Sequence, residues 1–279
     1  MKRTQTDRRG KLRIRRPLPK IRPLPVRSLA PNMLTILALC AGLTAINFAL
    51  GGDFRSAVIA LTVAGVLDGL DGRVARLLDG ATRFGAELDS LSDFANFGVA
   101  PVIVLYLWSL SDLGGFGWII VLAFCICCAL RLARFNVAIE DPDRPVWRQN
   151  YCAGVPAPAA AGLCIAPFFL SFLGLEGIHD WPFFLALYTL FISFLMISQI
   201  PTFSGKGLKV KREQVLPVLL LVALFASLLL IYPWQTLATC AVVYWGSIPV
   251  AVRWYNKERA RNLPVEAEVT PDDMMDRVD

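Results

Sequence analysis

Apolar residues in this chain gather into long unbroken runs, not the short alternations of elements that keep one face in water. Eight such runs stand out, at approximately 31–50, 54–71, 88–108, 116–136, 154–174, 181–200, 215–232 and 234–252. About 20 residues at 1.5 Å each span the hydrocarbon core of a bilayer, so each run predicts a transmembrane helix. The expected fold class is therefore all-α, a polytopic transmembrane helix bundle of about eight spans. Flanking it are a basic tail over 1–28 and a second tail over 256–279, with the membrane domain over 29–255.

Charge orients the bundle. Of the 28 lysines and arginines, eleven precede Ser28, and the others cluster in alternate loops and at the C-terminal end. Arg55 alone falls on the opposite side. Because positive residues near span ends stay in the cytoplasm, both termini are expected there, in a multi-pass protein of the cell (inner) membrane. The net charge of +6 then reports topology and contact with anionic lipid headgroups, with no call for a nucleic acid partner. The tail's two Arg-Pro-Leu-Pro units read as a solvated basic arm.

The seven cysteines lie mostly inside apolar runs, and Cys125, Cys127 and Cys128 lack the partner pair and histidine of a zinc site. His179, the single histidine, falls in an outer loop. Histidine-based acid–base or metal chemistry is thereby set aside.

Carboxylates supply the chemistry instead. Asp68 and Asp71 close the second run, and Asp89 and Asp93 open the third. Spacings of three and four put each pair on one helix face, with Cβ atoms about 5–6 Å apart. A reversal between 77 and 84, through Asp79-Gly80, sets the pairs face to face. Lone aspartates at mid-bilayer cost about 2.5–3.5 kcal/mol each to insert, and dications relieve both that cost and the mutual repulsion. All-oxygen ligands favour Mg2+ or Mn2+, with Ca2+ a competitor. Two such ions can bridge a diphosphate. Gly69, Gly72, Ala75 and Gly85 clear side chains from this region, either for a phosphate-bearing ligand or for helix packing. Arg76, one turn past Gly72, suits phosphate.

The spacing D-x2-D-G-x2-A-R-x8-G-x3-D-x3-D, filled by Asp68, Asp71, Gly72, Ala75, Arg76, Gly85, Asp89 and Asp93 with Gly69 and Asn96 adjacent, resembles the signature of the CDP-alcohol phosphotransferase family. That resemblance implies an Mg2+ or Mn2+ enzyme, with two ions, that displaces CMP from a CDP-linked lipid or alcohol. It assigns Asp68, Asp71 and Asp89 to the metal, Asp93 to the metal or to general-base catalysis, and Gly72, Ala75, Arg76 and Gly85 to the nucleotide site. Asn32 and Thr35, at the cytoplasmic start of the first run, join that site as hydrogen-bonding groups, although capping accounts for Asn32 equally well.

Three further segments bear on the acceptor: Arg131 to Asn136, Gly154 to Ala159 and Ile200 to Lys206. With eight spans, they resemble the members of that family that take L-serine from the cytoplasm and CDP-diacylglycerol from the bilayer. Arg131, Arg134 and Lys206 are the candidate cations for the serine carboxylate. Glycerol 3-phosphate, choline and inositol phosphate are the alternative acceptors, a homodimer is the family-level expectation, and a cation transporter is the reading from outside the class.

Overall fold

The computed structural model describes residues 29–78, 82–139, 151–203 and 215–262. The Asp79-Gly80 reversal, Lys206 and both terminal tails beyond these bounds lie outside the described residues. All eight apolar runs are helical. Helix α1 is Leu29–Leu50 and α2 is Phe54–Leu77. Helix α3, Arg83–Asp93, passes through a π-helical turn, Phe94–Val99, into α4, Ala100–Trp108. Helix α5 is Gly115–Ile139; α6, Ala157–Cys164, and α7, Ala166–Phe172, share the fifth run. Helices α8, Pro182–Ile197, α9, Val215–Ile231, and α10, Pro233–Asn262, complete the order.

Among the described residues, four helical stretches are long and apolar enough to cross a membrane: Leu29–Leu50, Arg83–Trp108, Gly115–Val137 and Pro233–Lys257. Helix α2 has the length, but Asp68, Asp71, Arg73 and Arg76 load its second half with charge. Three apolar helices are shorter, at Ala157–Phe172, Pro182–Ile197 and Leu216–Ile231. Large apolar side chains such as Leu37, Leu43, Ile119, Ile126 and Phe194 point outward. On a protein in water such a surface would drive association, whereas in hydrocarbon it costs nothing. The chain is an all-helical membrane protein.

One small departure from all-α is a two-stranded antiparallel pair, β1 (Tyr151–Ala153) with β2 (Pro201–Phe203), in which Cys152 faces Thr202. It joins the segments entering α6 and leaving α8. Beside it Gly154 adopts φ +76°, and a Cβ there would lie 2.4 Å from the Met196 carbonyl oxygen and 2.9 Å from that of Ser198. Only glycine fits both the left-handed backbone and the space. The Gly154 N–H donates to the Ile200 carbonyl, the Val155 N–H to that of Leu195, and the Thr202 hydroxyl to that of Gly154.

Small residues let α1 and α2 lie close together. The buried face of α1 reads Pro31, Thr35, Ala38, Gly42, Ala45 and Ala49, at alternating steps of four and three. Against it α2 sets Ala57, Val58, Leu61 and Ala64. This is the most extensive helix–helix contact among the described residues, within which α2 and α3 meet little at the backbone level. Lipid-embedded helices associate through such close packing because burial from water gives them no drive. The deepest core lies where α4, α5, α6–α7 and α8 converge, on Leu105, Phe124, Leu163, Phe168, Leu185, Ile192 and Met196.

At the end of α2 opposite its aspartates, Asp53 caps the helix by accepting from the Ser56 N–H at 3.0 Å; the Ser56 hydroxyl first, and this N–H second, hold its carboxyl below the usual range. Arg55 sits over the rings of Phe172 and Trp234, each centroid 5.6 Å away, a pair of cation–π contacts that ties α2 to α7 and α10.

Candidate active site

Three carboxylates meet where the second half of α2 faces the start of α3. One oxygen each of Asp68, Asp71 and Asp89 lies within 4.8 Å of the other two. The carboxyls of Asp68 and Asp93 are within hydrogen-bonding reach of one another. Helical spacing of three and four residues produces this directly: each helix offers one acidic face, and the open gap between α2 and α3 leaves room between them. The α3 end is fixed by a cap, with the Thr82 hydroxyl oxygen accepting from the Gly85 N–H at 3.0 Å.

Arg73 and Arg76, on α2 beside the aspartates, form no ion pair with any of the four. Two carboxylates 4.8 Å apart repel by about 3.5 kcal/mol at an effective dielectric of 20. The Oδ1 of Asp68 is buried and has no hydrogen-bond partner, a costly condition for a polar atom unless something positive meets it. The donor set is oxygen throughout and preorganised, so it fits a small hard dication such as Mg2+ or Mn2+.

A chain of buried polar groups backs the cluster. The Thr35 hydroxyl on α1 donates to Asp71 Oδ2 at 2.7 Å, and it also lies 3.1 Å from the Pro31 carbonyl oxygen within its own helix. The Ser92 hydroxyl on α3 donates to the Thr35 carbonyl at 3.3 Å, and the Asn96 amide donates to Ser92 Oγ at 3.2 Å. Thr35, Asp71, Ser92 and Asn96 are each under 5% exposed. Asn96 belongs to the π-helical turn, and its Oδ1 points at Gly42, where a Cβ would stand only 2.1 Å away. Irregular turns of this kind recur at functional sites.

The small residues divide into two groups. A Cβ at Gly69 or at Gly72 would meet nothing within 4 Å, so neither glycine serves helix packing in this fold. A Cβ at Gly85 would lie 2.8 Å from Asn32 Oδ1, so that glycine admits the Asn32 side chain. Ala75 is half-buried on the same stretch of α2. Arg76 is exposed; its Nε donates to the Gly72 carbonyl at 3.0 Å, which steers the guanidinium along the glycine side of α2.

The basic residues of α5 are tied to backbone. Arg131 is buried and donates through Nε to the Val155 carbonyl, and Arg134 donates to that of Ile197 at 3.0 Å. Asn136 donates to Ser90 Oγ at 3.1 Å, next to Asp89. Three segments far apart in sequence, at the ends of α5 and α8 and before α6, therefore meet around the last turns of α5, which reach α3 through Asn136. His179 lies in a 3-10 turn, Glu176–Asp180, paired with Asp180 at 3.0 Å and packed on Trp108.

Sequence reasoning missed Ser92, Ser90 and Gly42, and it singled out the segment ending at Asn136 without giving that residue a role of its own. Ser92 carries a faint signal, lying three residues after Asp89 and next to Asp93. The rest become visible only once α1 and α5 are docked.

Residues 28–195 match the family model described as CDP-alcohol phosphatidyltransferase, and residues 213–249 match a second described as CDP-alcohol phosphatidyltransferase 2. A CDP-diacylglycerol–serine O-phosphatidyltransferase of Mycobacterium tuberculosis is 39% identical over 223 residues, 80% of this chain and 78% of its own. The protein of the same description from Helicobacter pylori is 35% identical over 230 residues, covering 81% and 91%. That from Bacillus subtilis is 37% identical over 170 residues, covering 61% and 87%.

Proposed function

The chain belongs to the CDP-alcohol phosphatidyltransferase family, and from that premise we propose that it transfers the phosphatidyl group of CDP-diacylglycerol to L-serine, releasing CMP and forming phosphatidylserine. The family is generally divalent-metal dependent, and an acidic cluster suited to such ions is present at Asp68, Asp71 and Asp89. That convergence of three carboxylate oxygens is the observation that carries the reading.

Asp68, Asp71, Asp89 and Asp93 would hold Mg2+ or Mn2+, in a two-ion arrangement. When bound, the metal neutralises the diphosphate and stabilises charge on the departing CMP. The protein's own groups do the rest. Gly69 and Gly72 leave α2 bare, so the diphosphate can approach its backbone. Arg76, with its Nε held by Gly72, turns its remaining N–H groups to phosphate. Asn32, Ala75 and Gly85 shape the nucleotide site, and Thr35 borders it.

Asp93 is the general base. It accepts the serine hydroxyl proton as that oxygen forms its bond to the lipid-side phosphorus and the bond from phosphorus to the CMP oxygen breaks. Arg131, Arg134 and Lys206 supply positive charge for the serine carboxylate, the first two oriented by the carbonyls they bind. The acyl chains stay in the bilayer. The eight helical runs all span it, both tails are cytoplasmic, and the site opens toward soluble serine on that face of the cell membrane. The domain over 29–255 works as a homodimer in this reading.

The test is incorporation of labelled serine into extractable lipid by the purified full chain. Wild type should incorporate it with Mg2+ or Mn2+. Asp93→Asn should reduce incorporation at least about 100-fold, the usual share of a general base, while the variant still partitions to the membrane and keeps its melting temperature. Near-normal incorporation by Asp93→Asn removes the role given to that residue, and none by wild type removes the reading.

A further inference from the structure

We propose that Thr35 is a positioning residue that limits Asp71 to one free carboxylate oxygen and thereby sets the site's preference for a small octahedral dication over Ca2+; the inference rests on the metal reading above. Three observations carry it. The Thr35 hydroxyl meets Asp71 Oδ2 at 2.7 Å, and both residues are more than 95% buried, so water does not compete for that bond. A hydroxyl has one proton to give. The shorter contact, to a carboxylate, takes it in preference to the Pro31 carbonyl at 3.1 Å.

The second observation is that α1 is itself held in register at this residue. The Thr35 carbonyl accepts from Ser92, which accepts from Asn96, and Asn96 is lodged against Gly42 on α1 one turn after Ala38. The hydroxyl therefore comes from a fixed backbone and is itself a fixed donor. Third, Asp68 differs from Asp71 in this respect: its Oδ1 is buried with no partner, while Asp71 has one oxygen already engaged.

The chemical consequence follows from ligand number. Mg2+ and Mn2+ sites are octahedral, and Mg2+ in particular takes carboxylates through single oxygens, whereas Ca2+ takes six to eight oxygens and readily uses both of one carboxylate. A carboxylate with one oxygen turned to a buried hydroxyl binds more readily through the other alone, which suits the first kind of site better than the second. Groups that orient a ligand from behind commonly change metal affinity by about 10–100-fold when removed. The Thr35 hydroxyl is accordingly assigned to Asp71 and not to the nucleotide.

The experiment titrates Mn2+ into the full chain in lipid nanodiscs, reading free Mn2+ by its electron paramagnetic resonance signal, and then displaces it with Ca2+. Thr35→Val should weaken Mn2+ binding by about tenfold or more and raise the Ca2+ to Mn2+ affinity ratio by a similar factor; Thr35→Ser should restore both. A purely structural effect weakens both ions alike, so an unchanged ratio in Thr35→Val overturns the proposal, as does failure of Thr35→Ser to restore it. Asp68→Asn serves as the separate control on the metal reading. If wild type binds no Mn2+, or Asp68→Asn binds it equally well, that reading falls and takes this inference with it.

Discussion

Replacing Gly42 by alanine should destabilise the protein through one identifiable contact. The added Cβ would stand 2.1 Å from Asn96 Oδ1 and 3.1 Å from its Cγ. To reach ordinary contact the oxygen must withdraw by roughly an ångström, yet Asn96 is 2% exposed and its amide is bonded to Ser92. Overpacking of a close-packed site costs about 1–3 kcal/mol, and turning the amide away strands a buried donor at about 1–3 kcal/mol more. Partial relaxation brings the expected loss to about 2–4 kcal/mol. The assay is thermal unfolding in one detergent across a double-mutant cycle of Gly42→Ala, Asn96→Ala and the pair. If the clash is the cause, Gly42→Ala should cost under about 1 kcal/mol once Asn96 is already alanine. An equal loss in both backgrounds, or no loss in either, refutes the reasoning.

Two other glycines should behave in opposite ways. Gly72→Ala meets nothing within 4 Å, so it should hold or raise the melting temperature, alanine being better than glycine in a helix by about 1 kcal/mol, while lowering CMP release through a raised KM for CDP-diacylglycerol. Gly154→Ala should cost about 2–5 kcal/mol, from a left-handed backbone and a Cβ driven onto carbonyl oxygens that cannot move aside. Its melting temperature or its yield of folded protein should fall well below that of Gly72→Ala.

The helices were legible because hydrocarbon imposes a length and a composition that the chain displays run by run. The acidic cluster was legible too, since Asp68 with Asp71 and Asp89 with Asp93 lie at helical spacings that need no tertiary knowledge. What escaped is what depends on docking. Thr35 reads as a hydrogen-bonding group of the nucleotide site until α1 is placed against α2 and its hydroxyl is seen on Asp71. Arg131 and Arg134 look like free loop cations, but their carbonyl partners Val155 and Ile197 lie 24 and 63 residues away. The third run gave no warning of its π-helical turn at Phe94–Val99, because a changed hydrogen-bond ladder leaves composition untouched. The break of the fifth run at Ile165 was hidden in the same way, its apolar character continuing unbroken through α6 and α7.

The most direct test of the whole account is CMP release from CDP-diacylglycerol by the purified full chain with Mg2+ or Mn2+, offered L-serine, glycerol 3-phosphate, choline and inositol phosphate in separate reactions. The account predicts release that depends on both the dication and L-serine. Release driven by another of the alcohols would contradict the serine assignment, and well-folded protein that releases no CMP with any of them would contradict the aspartate mechanism itself.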